Sequence, residues 1–211
     1  MEADRSAYPM YNYLRGIGLS AGDIVAISAE QKKGHLIGAT EMANDNADLT
    51  ATLHHNYYKD MMDRMPRLRA GNVHVYNIVM DSASAHAAAG RLTDAMESAI
   101  SSKGYHFGVT SNGAISTEGG AVLVEKSDII DVLYPLRNNQ TDPDDADYTG
   151  KIRAVDTMYS LDGASFRGDS DTPGSPLSPV PAPIVPFSWN GFATLPYHYT
   201  ADEPDTLASP V

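Results

Sequence analysis

Residues 73–80 read Val73-His74-Val75-Tyr76-Asn77-Ile78-Val79-Met80, a short β-branched run, a corner at Asn77-Ile78 and a second short apolar run. The arrangement recurs at LHHNYY around His55-Asn56, at VEKSDII around Lys126-Ser127 and at AVDTMY around Asp156-Thr157. Five runs, Ile24–Ile27, Leu49–Leu53, Val73–Val79, Ala121–Val124 and Ile152–Val155, are bounded by Gly, Asn, Asp and Pro and read as strands. Strand, polar corner, strand is what the stacked coils of a parallel β-solenoid need, because each coil buries its apolar face on the next. A β-sandwich also strings short strands between turns, so periodicity alone leaves both architectures open. One helix is predicted over Ala87–Ile100, where Ala88, Leu92, Ala95, Met96 and Ile100 fall near helical spacing.

The 211 residues and 42% hydrophobic content suit one core-forming body. We read residues 1–172 as that body and residues 173–211 as a Pro-rich arm with an aromatic end. The stretch from Ser170 to Phe187 holds six of the thirteen prolines, and Trp189, Phe192 and Tyr197 follow it, so the arm is expected to dock back on the body. No run of eighteen apolar residues occurs, and no membrane partner is expected. The N-terminal residues lack a basic segment followed by an apolar one, so no secretory signal is read there. Cysteine is absent, which excludes disulfides and thiolate metal sites. A net charge of −12 argues against nucleic acid as a partner.

Against that acidic background, Lys32, Lys33, Lys59, Arg64, Arg67 and Arg69 gather six of the fifteen basic residues into one stretch. A local cationic cluster suits an anion, although a solvated basic edge also explains it. In Arg64-Met65-Pro66-Arg67-Leu68-Arg69 the proline interrupts a regular strand, so alternation does not say which arginines share a face. The adjacent His54 and His55 should point to opposite sides of a strand and are read as structural. The acidic turn Asp145–Gly150 only loosely mimics a calcium loop, and a polar turn entering a strand explains it better.

The segments DIVAIS, QKK, HLIG, HHNYYKD and DRMPRLRAGNVHVYN resemble the core of the pectate lyases of polysaccharide lyase family 1. There a VTIS-type strand, a Lys just before LIG, HHNYF, RxPxxR and VHVYNN follow in this order. The likeness runs roughly from residue 22 to 200, through YPLRNNQ, YTGKIRAVDTMY and PFSWNGFATLPYHYT. It implies a right-handed parallel β-helix, a secreted enzyme, calcium as cofactor and polygalacturonate as substrate, cleaved by β-elimination. Arg64, the first Arg of RxPxxR, matches the base that takes the C5 proton. Arg69 and Lys33 match residues that bind the uronate carboxylate and stabilise the enolate-like charge, and we add Arg67 and Lys32 to the substrate-binding set. An arginine keeps its proton up to a pH of about 12, so it serves as a base only when dehydrated and crowded by other cations.

Two departures stand out. The segment Tyr13–Leu19, where a DGLIDI-type strand would supply calcium ligands, has no carboxylate, so the metal ligands are unknown. A short or truncated form of the family is implied, with an open β-helix end that another copy could cover, giving a homo-oligomer. Arg15 in that segment suggests an alternative, a calcium-independent pectin lyase acting on methylated pectin. A non-catalytic pectate-binding module is a further alternative. The second departure is Ile78, Ser127 and Thr157 at corner positions where an asparagine ladder is expected, with only Asn56 retained.

Overall fold

The computed structural model describes residues 9–27, 33–104 and 110–207. From Lys33 the chain winds through successive coils, and each coil gives one strand to each of three parallel sheets. The first sheet stacks β1 (Leu36–Ile37), β4 (Arg67–Arg69), β7 (Asn112–Thr117) and β10 (Tyr134–Arg137). The second stacks β2 (Thr50–His54), β5 (Asn72–Tyr76), β8 (Ala121–Glu125) and β11 (Lys151–Val155). The third stacks β3 (Tyr57–Lys59), β6 (Val79–Asp81), β9 (Asp128–Ile130) and β12 (Thr157–Leu161), closed by β13 (Ala164–Gly168) antiparallel to β12. This is a right-handed parallel β-helix and not a sandwich.

The apolar alternation sets the register. In the second sheet Ala51, Val73, Val122 and Ile152 stack as one inward column, and Leu53, Val75, Val124 and Ala154 as another. Burying each such side chain contributes about 1.5–3 kcal/mol for the larger ones. A one-residue slip would turn His74 and Tyr76 into the core, so the register is strongly specified.

The repeated corners are made by backbone shape. His55, Asn77, Lys126 and Asp156 take φ of 53°, 50°, 42° and 42°, turning the chain between the second and third sheets. The next residues, Ile78, Ser127 and Thr157, point inward and are fully buried. No asparagine ladder runs through them. Ser127 Oγ donates to the Glu125 carbonyl at 2.9 Å and accepts from the Ile78 N–H at 3.3 Å, while Thr157 Oγ1 donates to the Val155 carbonyl at 3.0 Å. The hydroxyls therefore satisfy their own coil more than they tie coils together.

Two predicted elements differ. Ile24–Ile27 is not a strand but the end of α2 (Ala21–Ile27), which follows α1 (Pro9–Gly16). Ser20 and Asp23 form a reciprocal capping box, with bonds of 3.0 and 3.1 Å, that starts the helix. The single helix expected over Ala87–Ile100 is two, α3 (Ala83–Ala89) and α4 (Asp94–Ser101). Thr93, extended at φ −95° and ψ 158°, restarts the chain by accepting the Met96 N–H. Leu14, Leu19, Ile24, Ala85, Ala88 and Ile100 join these helices into a second core against Met62, beside the first sheet. None of the described helices is long and apolar enough to cross a membrane.

After β13 the chain first bridges the first sheet, Val180 to Arg137, and residues 189–202 then lie across the outer face of the second sheet. His74, almost wholly buried, meets the Tyr197 hydroxyl and the Glu125 carboxylate, each at 2.6 Å. Asn190 exchanges two bonds with Asn72, at 2.8 and 2.9 Å. The Asn77 side chain donates to the carbonyls of Lys126 and Asp202 and accepts the Asp202 N–H. With that face covered, the outer face of the first sheet is where the cationic residues collect.

Candidate active site

The basic motif enters the first sheet through a corner of its own. Arg64 adopts φ 65°, and its neighbour Met65 donates its N–H to the Gly113 carbonyl of the next coil at 3.0 Å. On the preceding coil Lys33 bridges Asp63 in parallel register, and the Gly34 N–H reaches the Asp63 carbonyl at 2.9 Å. Lys33 and Arg64 thus stand about one coil apart, roughly 4.8 Å along the axis, at the same edge of the sheet. Lys32 lies outside the described residues.

After Pro66 the strand alternation resumes at once. Leu68 is fully buried in the coil interior, so Arg67 and Arg69 share the outer face. Both are tightly held. Arg67 Nη1 donates to Gln140 Oε1 at 2.8 Å and Nη2 to Thr141 Oγ1 at 3.3 Å. Arg69 Nη1 donates to the carbonyls of Gly38 and Ala39 at 3.2 and 2.7 Å, Nη2 to Glu41 at 3.1 Å, and Nε lies 3.6 Å from Glu118. A Cβ on Gly38, whose φ is 96°, would sit 2.8 Å from the Arg69 Cβ, so glycine lets the loop lie on the arginine stem.

The exposures separate the three guanidinium groups. The Arg67 and Arg69 side chains are 7% and 10% exposed, whereas that of Arg64 is 23% exposed. Arg64 has a loose carboxylate partner, Asp63, at 3.7 Å from Nε. Asp63 is itself held by Gln140 Nε2 at 2.8 Å, so Gln140 ties the Asp63–Arg64 pair to Arg67. Burial, followed by the positive charges of Arg69 and Arg64, pulls the pKa of Arg67 down. The site is therefore a dehydrated, crowded cationic face with Lys33 and Arg64 at its accessible edge.

The family model for pectate lyase matches residues 19–141. The chain belongs to the pectate lyase family. It is 62% identical over 147 residues to Pectate lyase B of Paenibacillus amylolyticus, covering 69% of this chain and 37% of that protein. A solved pectate lyase from Paenibacillus sp. 0602 superposes with a TM-score of 0.89 at 67% identity, covering 98% of this chain and 47% of that one. A pectate lyase of Bacillus subtilis (strain 168) is 43% identical over 49 residues, 23% of this chain and 12% of that protein. The chain spans less than half the length of these pectate lyases.

Of the residues singled out in the sequence, the fold brings Lys33, Arg64, Arg67 and Arg69 to one sheet. The sequence pattern assigns no role to Asp63, Glu41, Glu118 or Gln140, the polar groups that hold those cations. Asp63 adjoins the motif and Gln140 ends the quoted YPLRNNQ, but nothing in their spacing showed that they meet. Among the described residues no group of three or more histidine or carboxylate side chains is placed to hold a metal ion. At His54 and His55 the alternation argument fails, because the corner φ of His55 brings the rings together, Nδ1 to Nδ1 at 2.8 Å. They remain structural. His54 stacks on Tyr76 and His55 meets Asp202 at 3.1 Å.

Proposed function

We propose that this chain cleaves polygalacturonate by β-elimination on the outer face of the first sheet. Arg64 takes the proton from C5, alpha to the uronate carboxylate. The C–H electron pair becomes the C4–C5 double bond, the C4–O bond breaks, and the departing glycosidic oxygen takes up a proton. Lys33 sits where it can pair with the substrate carboxylate as negative charge builds on it. Arg67 and Arg69, fixed and poorly solvated, add positive potential that favours the enolate-like state without having to reorganise.

The observation that carries this reading is the contrast within the motif. Arg67 and Arg69 are consumed by protein partners, while Arg64 and Lys33 keep accessible side chains on neighbouring coils. The test follows the ultraviolet absorbance of the unsaturated uronate product on polygalacturonate at alkaline pH. Wild type is expected to form product and Arg64→Ala to lose it, while equal rates would sink the assignment. Since the polymer lies outside cells, we infer that the protein acts there. We also propose that β1, β2 and β3, edge strands of their sheets, pair with a second copy.

A further inference from the structure

The outer face of the first sheet carries one more cation, beyond the basic motif. Arg137, on β10, lies two coils beyond β4, and Ile115 of β7 is its register partner on one side and that of Arg67 on the other. At about 4.8 Å per coil this puts Arg137 roughly 10 Å from the motif along the axis. Its surroundings differ in kind from those of Arg67 and Arg69. Nη1 donates to the neutral Asn112 Oδ1 at 2.9 Å, and the guanidinium lies 5.3 Å from the centroid of the Tyr134 ring. Among the described residues no carboxylate lies within 4 Å of it, whereas its Nε, like those of Arg64, Arg67 and Arg69, is buried without a hydrogen-bond partner.

An arginine propped by an amide and an aromatic ring is oriented but not neutralised. Burial pulls its pKa down, and Tyr134 and the Asp63 carboxylate, which makes no ion pair with it, offset that desolvation cost only in part. A planar fork held this way suits a carboxylate. Asn112 also ties it to the site, because its N–H donates at 2.9 Å to the carbonyl of Met62, two residues before Arg64.

We propose that Arg137, held by Asn112 and Tyr134, is a distal carboxylate subsite that engages a uronate further along the chain than the one cleaved. The inference rests on the lyase reading of the same sheet face. It requires the polymer to run along the β-helix axis, so that successive uronates meet Lys33 and Arg64 at one end and Arg137 at the other. Short oligogalacturonates centred on Arg64 would not reach it.

The test measures binding apart from turnover, by electrophoretic retardation of the protein in gels containing polygalacturonate. KM and kcat are measured in parallel on short and long oligogalacturonates. Arg137→Gln and Arg137→Lys are compared with Arg167→Gln, which removes a charge from the remote ion pairs of Arg167 with Asp156 and Glu203. Circular dichroism of each variant checks that the fold is kept. Arg137→Gln is expected to weaken retardation and raise KM for long chains about tenfold, the worth of one charged hydrogen bond. The loss should be larger for long chains than for short ones, with Arg137→Lys intermediate and Arg167→Gln like wild type. Equal losses on short and long substrates, or none, would overturn the subsite. A wild type that is retarded yet forms no product would overturn the lyase reading while the binding data still decide on Arg137. A wild type that is not retarded at all would overturn both.

Discussion

Replacing Arg69 and Arg64 by methionine, one at a time, should separate two arginines that the motif presents as equivalent. Methionine keeps much of the stem and removes the charge. At Arg69 the change deletes bonds to two carbonyls and to Glu41, and it leaves Glu118, whose side chain is only 3% exposed, without its nearest cation. Three charge-assisted bonds at about 1.5–3 kcal/mol each set an upper limit. Water can reach the exposed Ala39 loop, so a net loss of ~3–5 kcal/mol is expected, the usual range for breaking a buried ion pair. For a chain of this size that lowers Tm by on the order of 10 °C. At Arg64 the one ion pair is 3.7 Å long, and its removal should cost less than about 1 kcal/mol. Urea titration and thermal melting give the stabilities, and product absorbance gives the activity. Arg64→Met should melt near wild type and lose turnover, whereas Arg69→Met should melt early and keep its KM well below its melting point. If Arg69→Met melts with wild type yet raises KM for polygalacturonate, its guanidinium reaches substrate and the loop-clamp reasoning is wrong.

Asn77→Ala removes three bonds and puts a Cβ residue without a side-chain partner at φ 50°, so a loss of ~3 kcal/mol is expected, with Asn77→Gly about 1 kcal/mol milder. Urea unfolding showing alanine at least as stable as glycine would contradict the strained-corner account. Burial, with Asp81 adding to it, pushes Asp128 up from 3.8 to about 6. The native state therefore holds a proton through that window that the unfolded chain has lost, and the contribution of Asp128 to stability falls as pH rises through it. Asp128→Asn should gain ~1–2 kcal/mol at neutral pH and nothing near pH 4; equal effects at both would refute this. Size-exclusion chromatography with light scattering is expected to show self-association, and a clean monomer at high concentration would rule out pairing through β1, β2 and β3.

The strands were legible because their β-branched runs alternate against a buried interior, and the corners because a polar residue recurs between paired runs. The helices were harder to read. Ile24–Ile27 is too short to show a period, and the decisive signal was Ser20 and Asp23 three residues apart, a capping box just before the apolar run. Gly90 and Thr93 likewise divide the helix that the spacing of Leu92, Met96 and Ile100 suggested. In the site, the cations were visible as charge, but their partners are set by stacking between coils. Gln140 lies more than seventy residues from Asp63 and Arg67, and local pattern carries no record of that meeting.

The excursion that carries α3 and α4 leaves the β-helix after β6, and β7 takes up the ladder undisturbed, since Val79 still faces Asp128 and Arg69 still faces Thr117. An extra residue inside a strand would turn every following side chain to the other face. The same residue added to this excursion costs only loop entropy, about 0.6 kcal/mol for each doubling of its length. The excursion also packs on Met62, next to Asp63 and Arg64. Variation in its length and composition can therefore reshape the wall beside Lys33 and Arg64 while the arginines stay in register, which makes this corner the place where family members can diverge at little cost to folding.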